Sequence, residues 1–247
     1  MLKSLLFIAI CHLSIIASQT NALDSLTFGV EITDYSPYYY LDDTLRYQGA
    51  AREIFDLFSK NIKQVPHYSA MPVPRLFSEF SKGNIDLKFP DNPLWSASLS
   101  TKAKVFYSEP VFQVNETLLV LKQSGEEITK QEILQVGTIL GFSVPGIASS
   151  VANQEFETVQ TQEIEQLIHM LMSDRVQGVY FNESVAVALA KKMYPNKVLS
   201  QHSQYPPFQY AYHLSSINHP ELIDAFNAFL LSHSEQVTEI RQRYGLK

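Results

Sequence analysis

KVFYSEPVFQVNETLLVLKQ, residues Lys104 to Gln123, is the stretch that decides the fold. A short apolar strand runs into Tyr107, Ser108, Glu109 and Pro110, where the proline interrupts it. A second and more continuous apolar strand follows from Thr117 to Leu121. An apolar run without polar alternation reads as a strand covered on both faces. A break followed by such a strand, near mid-chain, marks a place where the chain leaves one domain for another. The expected organisation is one lobe before this stretch and a second after it, with the tail returning to the first and a cleft between them.

Working outward, the segments on the N-terminal side alternate between strand and helix. Leu26, Phe28, Val30 and Ile32 alternate along a first strand from Ser25 to Ile32. A tyrosine-dense loop follows, Thr33 to Tyr40, with Pro37 inside it and a turn at Asp42 and Asp43. Ile54, Leu57 and Phe58 lie on one face of a helix from Ala50 to Lys60. Val65 to Tyr68 reads as a strand. Pro74 starts a helix that runs to Ser81, as proline favours a first turn, and a third strand runs from Ile85 to Phe89. Such alternation builds a mostly parallel sheet covered on both faces. Ligands in such sheets bind beyond the carboxyl ends of the strands. The tyrosine loop and the loop from Pro90 to Trp95 are therefore expected near each other at that edge.

The pattern repeats on the C-terminal side. Strands are expected within Glu132 to Leu140, over Gln177 to Phe181 and from Val198, with helices over Glu163 to Met172 and Ser184 to Met193. Tyr205, Pro206 and Pro207 form a second break. Phe208 to Leu214 is the expected return crossing, and amphipathic helices over Pro220 to Leu231 and Ser234 to Tyr244 follow it.

The bulk composition narrows the function. With 247 residues, 45% hydrophobic and 18% charged, the chain has enough apolar surface for two lobes and too little charge for disorder. A net charge of −6 and the lack of a basic run exclude nucleic acid as a partner. Met1 to Lys3 is a short positive start, Leu5 to Ile16 an apolar core, and Ala22 a small residue at its exit. Residues 1–22 read as a cleavable secretory signal peptide; the apolar run is shorter than the roughly 20 residues that span a bilayer. Cleavage removes Cys11, the only cysteine, so no disulfide and no thiol chemistry are expected in the mature chain.

Several short motifs, in this order and spacing, resemble a known family. Gly83-Asn84-Ile85-Asp86 resembles the Gly-x-Ile-Asp that closes a helix and opens a strand in the bacterial extracellular solute-binding proteins of family 3. Tyr107-Ser108-Glu109-Pro110, followed by Leu118-Leu119-Val120, is similar to their hinge segment. Tyr35-Ser36-Pro37-Tyr38 and Asp174-Arg175-Val176-Gln177-Gly178 sit where the family has an aromatic-x-Pro-Phe loop and a Gly-Arg-Val-Asp-Ala turn. The likeness covers nearly all of the chain beyond residue 22, as a divergent member.

The resemblance implies an α/β, two-lobe periplasmic-binding-protein-like fold of type II, two parallel-type sheets joined by two hinge strands. It implies lobe 1 over residues 23–118 plus 213–247 and lobe 2 over 119–212. It further implies a periplasmic receptor, expected as a monomer, that closes on a small polar solute such as an amino acid. The expected partner is an inner-membrane ABC permease or, alternatively, a sensor protein reading a non-amino-acid ligand. An enzyme on the same fold is the third reading. No cofactor and no metal are expected: no His-Glu-x-x-His or other close metal spacing occurs, and Pro145 replaces the second glycine of the Gly-x-Ser-x-Gly pattern at Gly141.

Two polar anchors of the family are replaced. Its carboxylate-binding Arg position falls at Thr101, beside Lys102 and Lys104, and its ammonium-binding Asp position at Asn182. Lysine lacks the flat fork that grips a carboxylate with two bonds, and neutral Asn cannot pair an ammonium as Asp does. Asp91 is the expected substitute for the negative charge, and Arg75 or Lys102 for the positive one. Tyr35, Tyr38 and Tyr40 are expected ligand-facing rings, with Trp95 either a lid on the pocket or a plug under a long loop. Asn92, Phe142, Ser143 and Asn182 complete the expected binding set. For Asp91, Asn92 and Arg75 the alternatives are a turn, a turn and a pair with Glu79.

Overall fold

The computed structural model describes residues 25–98, 104–121, 133–142 and 144–246. Strand β1 (Ser25–Glu31) buries Leu26, Phe28 and Val30, the alternate positions, as its sequence period requires. After a small hairpin of β2 (Tyr40–Leu41) and β3 (Tyr47–Gln48), helix α1 (Ala50–Asn61) lays Ile54, Phe55 and Phe58 on the sheet. Gly49, just before it, has φ 105°, and a Cβ there would meet the Tyr38 carbonyl oxygen at 2.6 Å. Only glycine lets the tyrosine loop pass this close to the helix start.

Strand β4 (Val65–Met71), helix α2 (Val73–Ser81) and strand β5 (Leu87–Asp91) complete the first group. β1 lies between β4 and β5 and is parallel to both. A second group mirrors it. Strand β8 (Gln135–Ile139), followed by the short helix α3 (Ala148–Ala152), lies between β9 (Glu157–Thr161) and β10 (Gly178–Asn182), parallel to both, with α4 (Ile164–Met172) and α5 (Glu183–Met193) packed on this group.

Two long strands join the groups. The first half of β7 (Phe112–Leu121) pairs antiparallel with the first half of β12 (Phe208–Ser216), from Phe112 opposite Tyr212 to Glu116 opposite Phe208. β7 then continues beside β10 and the short β11 (Leu199–Gln201), while β12 continues beside β5 and β6 (Phe106–Tyr107). One continuous path results, β4-β1-β5-β12-β7-β10-β8-β9.

The tail folds back on the first group. Helix α6 (Pro220–Ser232) sets the Phe226 ring 5.0 Å from Phe58 and 6.0 Å from Phe55. Helix α7 (Ser234–Arg243) sends Arg241 to the Val111 carbonyl, fixing the entry to β7, and Arg243 and Tyr244 bond Glu53 of α1.

Besides the β2–β3 hairpin and shifts of two or three residues at the ends of β4 and β5, the elements differ from the sequence expectation in three places. β7 starts at Phe112 rather than Thr117: Phe112 and Val114 are buried in alternation with exposed or half-buried Gln113 and Asn115, and the fully covered run begins only at Thr117. β9 has one buried residue, Thr161, so it carries little periodic signal. Pro93–Ser98 forms a 3-10 turn where a loop is expected.

Candidate functional site

A cavity of about 1180 Å³ opens where the ends of β1, β5 and β8 face the joining strands. Its walls carry Glu31, Tyr35, Tyr39 and Trp95 from the first group, Glu116, Tyr210 and Tyr212 from the joining strands, and Leu140, Phe142 and Ile164 from the second.

The tyrosine loop divides its rings between cavity and core. The loop closes on itself through Tyr35 N–H to the Tyr39 carbonyl (2.9 Å) and Tyr38 N–H to the Tyr35 carbonyl (3.0 Å). This turn aims Tyr35 and Tyr39 into the cavity. Tyr38 turns the other way, buried edge-on against Phe112 (5.2 Å) and Tyr212 (5.7 Å). Tyr40 pairs with Gln48 in the hairpin and is not part of the cavity wall.

The loop after β5 divides in the same way. Trp95 lines the cavity, tilted on Tyr212 at 5.9 Å and edge-on to Tyr210 at 6.4 Å. Asn92 is buried as a latch: its amide donates to the Ala211 carbonyl (2.6 Å) and its oxygen accepts from Leu94 N–H (2.8 Å). Asp91, 1% exposed, sits behind the wall. Its carboxylate pairs with the fully buried Lys88 at 3.0 Å and accepts from Ser215 Oγ (2.5 Å) and Asn92 N–H (2.8 Å). Arg75 is exposed and off the wall, and its neighbour Glu79 pairs with Lys82 (3.0 Å).

On the far side, Phe142 lines the cavity and stacks on Phe181 at 6.0 Å. Asn182 is fully buried, capping α5 by accepting from Val185 N–H at 3.2 Å. Lys102 and Ser143 lie outside the described residues. Of the residues singled out in the sequence, the structure brings Tyr35, Trp95 and Phe142 to the cavity. It keeps Tyr38, Tyr40, Arg75, Asp91, Asn92 and Asn182 off the wall.

Two carboxylates that sequence reasoning missed face the cavity. Glu31 ends β1, and its Oε2 accepts from the Tyr39 hydroxyl at 2.8 Å. Burial raises its pKa to about 7, against the opposing pull of Tyr39 and the Lys88 charge. Glu116 lies mid-strand in β7 and accepts from Tyr210 Oη at 2.7 Å. Burial raises its pKa too, while the Tyr210 and Tyr180 hydroxyls oppose the shift. One signal for Glu31 was available: it is the polar residue ending an alternating strand that leads into the tyrosine loop. Glu116 had none, since Asn115 and Glu116 read as a polar interruption of an apolar run. Among the described residues no group of three His, Cys, Asp or Glu is placed to hold a metal ion, and no helix is long and apolar enough to cross a membrane.

The model of the bacterial extracellular solute-binding proteins, family 3, matches residues 26–247. Among solved structures, AncCDT-1, an ancestral amino acid-binding protein and precursor of cyclohexadienyl dehydratase, superposes with a TM-score of 0.69 at 16% identity, covering 89% of this chain and 94% of that one. Substrate-binding domain 2 of GlnP from Lactococcus lactis, in an open conformation, gives 0.66 at 14% identity over 91% and 97%. A histidine kinase sensor domain with similarity to periplasmic binding proteins gives 0.69 at 13% identity over 90% and 96%. At these identities the likeness carries the fold, which is the type II arrangement of periplasmic binding proteins. No curated protein matches the sequence.

Proposed function

As the chain belongs to family 3 of the bacterial extracellular solute-binding proteins, we propose that it is a periplasmic receptor. It captures a small polar solute, an amino acid or a related compound, and delivers it to an ABC-type importer. Residues 1–22 act as the signal peptide. Lobe 1 comprises residues 23–118 and 213–247, lobe 2 residues 119–212, and the two close on the solute about β7 and β12.

The observation that carries this reading is the cavity itself. It lies beyond strand ends from both parallel groups, and its floor is made by the two joining strands. Its rings and half-buried carboxylates offer an apolar wall with a few convergent polar groups, the usual character of a small-molecule site. Rotation about two paired strands moves both walls without unpairing the strands of either group. The ligand is bound and released without chemical change.

A sensor role is the second reading. The replaced family anchors at Thr101 and Asn182, together with the fold likeness to a kinase sensor domain, favour it. A thermal-shift screen of the exported protein against amino acids, amines, organic acids and sugars tests the binding reading. A ligand present at a thousand times its dissociation constant adds about 4 kcal/mol, or roughly 10 °C for a chain of this size. A flat response to every class refutes a small-solute receptor. A shift with unaltered ligand recovered afterwards, and ligand-dependent stimulation of a co-expressed importer, support the receptor. Binding with no importer response moves the assignment to the sensor.

A further inference from the structure

We propose that the cleft selects organic amines that lack a carboxylate, holding the ammonium at one of its two wall carboxylates, Glu31 or Glu116, and the body of the ligand against the aromatic wall. This rests on the solute-binding reading above. The charged residues of the wall, among those described, are Glu31, Glu116 and Lys82. Lys82 is mostly exposed and already pairs with Glu79 at 3.0 Å. Among the described residues, the interior side chains of the wall that can carry charge are therefore both acids, one from β1 and one from β7.

The carboxylates are oriented without being exhausted. Tyr39 donates to one oxygen of Glu31, and Tyr210 to one oxygen of Glu116. A carboxylate has about four acceptor positions, so each retains capacity for an ammonium. Tyr35, Trp95, Tyr210 and Tyr212 line the same space, and a cation seated on an aromatic face is favoured over a neutral group.

Among the described residues, three groups that could receive an anion are engaged elsewhere or lie off the wall. The Gly146 N–H, in the helical turn Pro145–Ile147, donates to the Tyr180 hydroxyl at 2.9 Å. A Cβ at residue 146 would lie 2.7 Å from that hydroxyl, so this contact needs the glycine. Asn182 caps a helix, and Arg75 lies off the wall. A carboxylate entering beside Glu116 would find a like charge and no free donor on these groups, and burying it so is unfavourable.

Matched ligand pairs test this directly. Isothermal titration calorimetry on the exported, unmodified protein compares cadaverine with lysine, agmatine with arginine, and tyramine with tyrosine. The expected result is at least tenfold tighter binding of the decarboxylated member in one or more pairs. Glu31→Gln or Glu116→Gln should weaken that amine tenfold or more while keeping the circular-dichroism spectrum of the parent, and parental affinity in both variants overturns the inference. An amino acid that binds as tightly as its amine in every pair overturns the inference and leaves the receptor standing. Silence from all six also overturns it, and the wider solute screen then decides the receptor separately. The comparison within pairs needs no variant, so a variant that misfolds does not remove the test.

Discussion

Asp91→Asn separates a structural role for this residue from the ligand contact that its loop position suggests. The change keeps the shape and removes the charge. Lys88 Nζ, 0% exposed, then retains the Pro90 carbonyl at 3.3 Å and the Phe77 ring at 4.0 Å but loses its counter-ion at 3.0 Å. Removing one partner of a buried ion pair costs about 3–5 kcal/mol, because the other charge stays behind unsolvated. The Ser215 bond becomes neutral, for about 1 kcal/mol more. Burial already lowers the Lys88 pKa, with Asp91 opposing that shift, so without Asp91 the amine sheds its proton more readily and caps the loss. At about 2–4 °C per kcal/mol for a chain of this size, the roughly 4–6 kcal/mol above corresponds to a fall in Tm of about 8–24 °C. The double variant Asp91→Asn with Lys88→Met removes both charges and should recover more than half of the fall. Thermal and urea unfolding followed by circular dichroism at pH 7 read both. A single variant within about 2 °C of the parent, or a double variant no better than the single, refutes the argument that the pair is a structural one behind the cleft wall.

The pH dependence of stability should carry a signature of Glu31. Its folded-state pKa is raised from 4.5 to about 7, so its contribution is fully present below pH 4.5 and is lost as pH rises through about 7. Tm measured between pH 5 and pH 8 should therefore fall more in the parent than in Glu31→Gln; parallel curves would show that Glu31 ionises normally. Truncating Phe226 to Ala, in the returning helix, should cost about 3–5 kcal/mol. A chain that keeps its urea midpoint after this change would mean that the tail is not part of the first hydrophobic core.

Much of the order of elements was legible because burial imposes periods on the sequence. β1 shows the two-residue period of a half-covered strand, and α1 shows the helical spacing of Ile54, Leu57 and Phe58. The stretch from Thr117 to Leu121 is continuously apolar because sheet neighbours and packing cover both of its faces. Pro110 marked the break before β7. The start of β7 was not legible, since the paired but half-wet segment from Phe112 to Glu116 has too short an alternation to separate it from a loop.

The sequence by itself determined the alternating α/β architecture, the two crossings of the chain, and the neighbourhood of the site at the loops after β1 and β5. These follow from local period and from proline and glycine placement, which act within a few residues. Only the tertiary structure decided which side chains face the cleft. Tyr39 rather than Tyr38 enters the cavity because a turn within the loop rotates the rings between two walls. Asp91 lies behind the wall because Lys88, Ser215 and the Asn92 N–H converge on it from neighbouring strands and its own loop. Glu31 and Glu116, 85 positions apart by their numbering, meet one cavity because strand pairing through β5 and β12 brings β1 and β7 into the same sheet. A site made across that distance has no period along the chain.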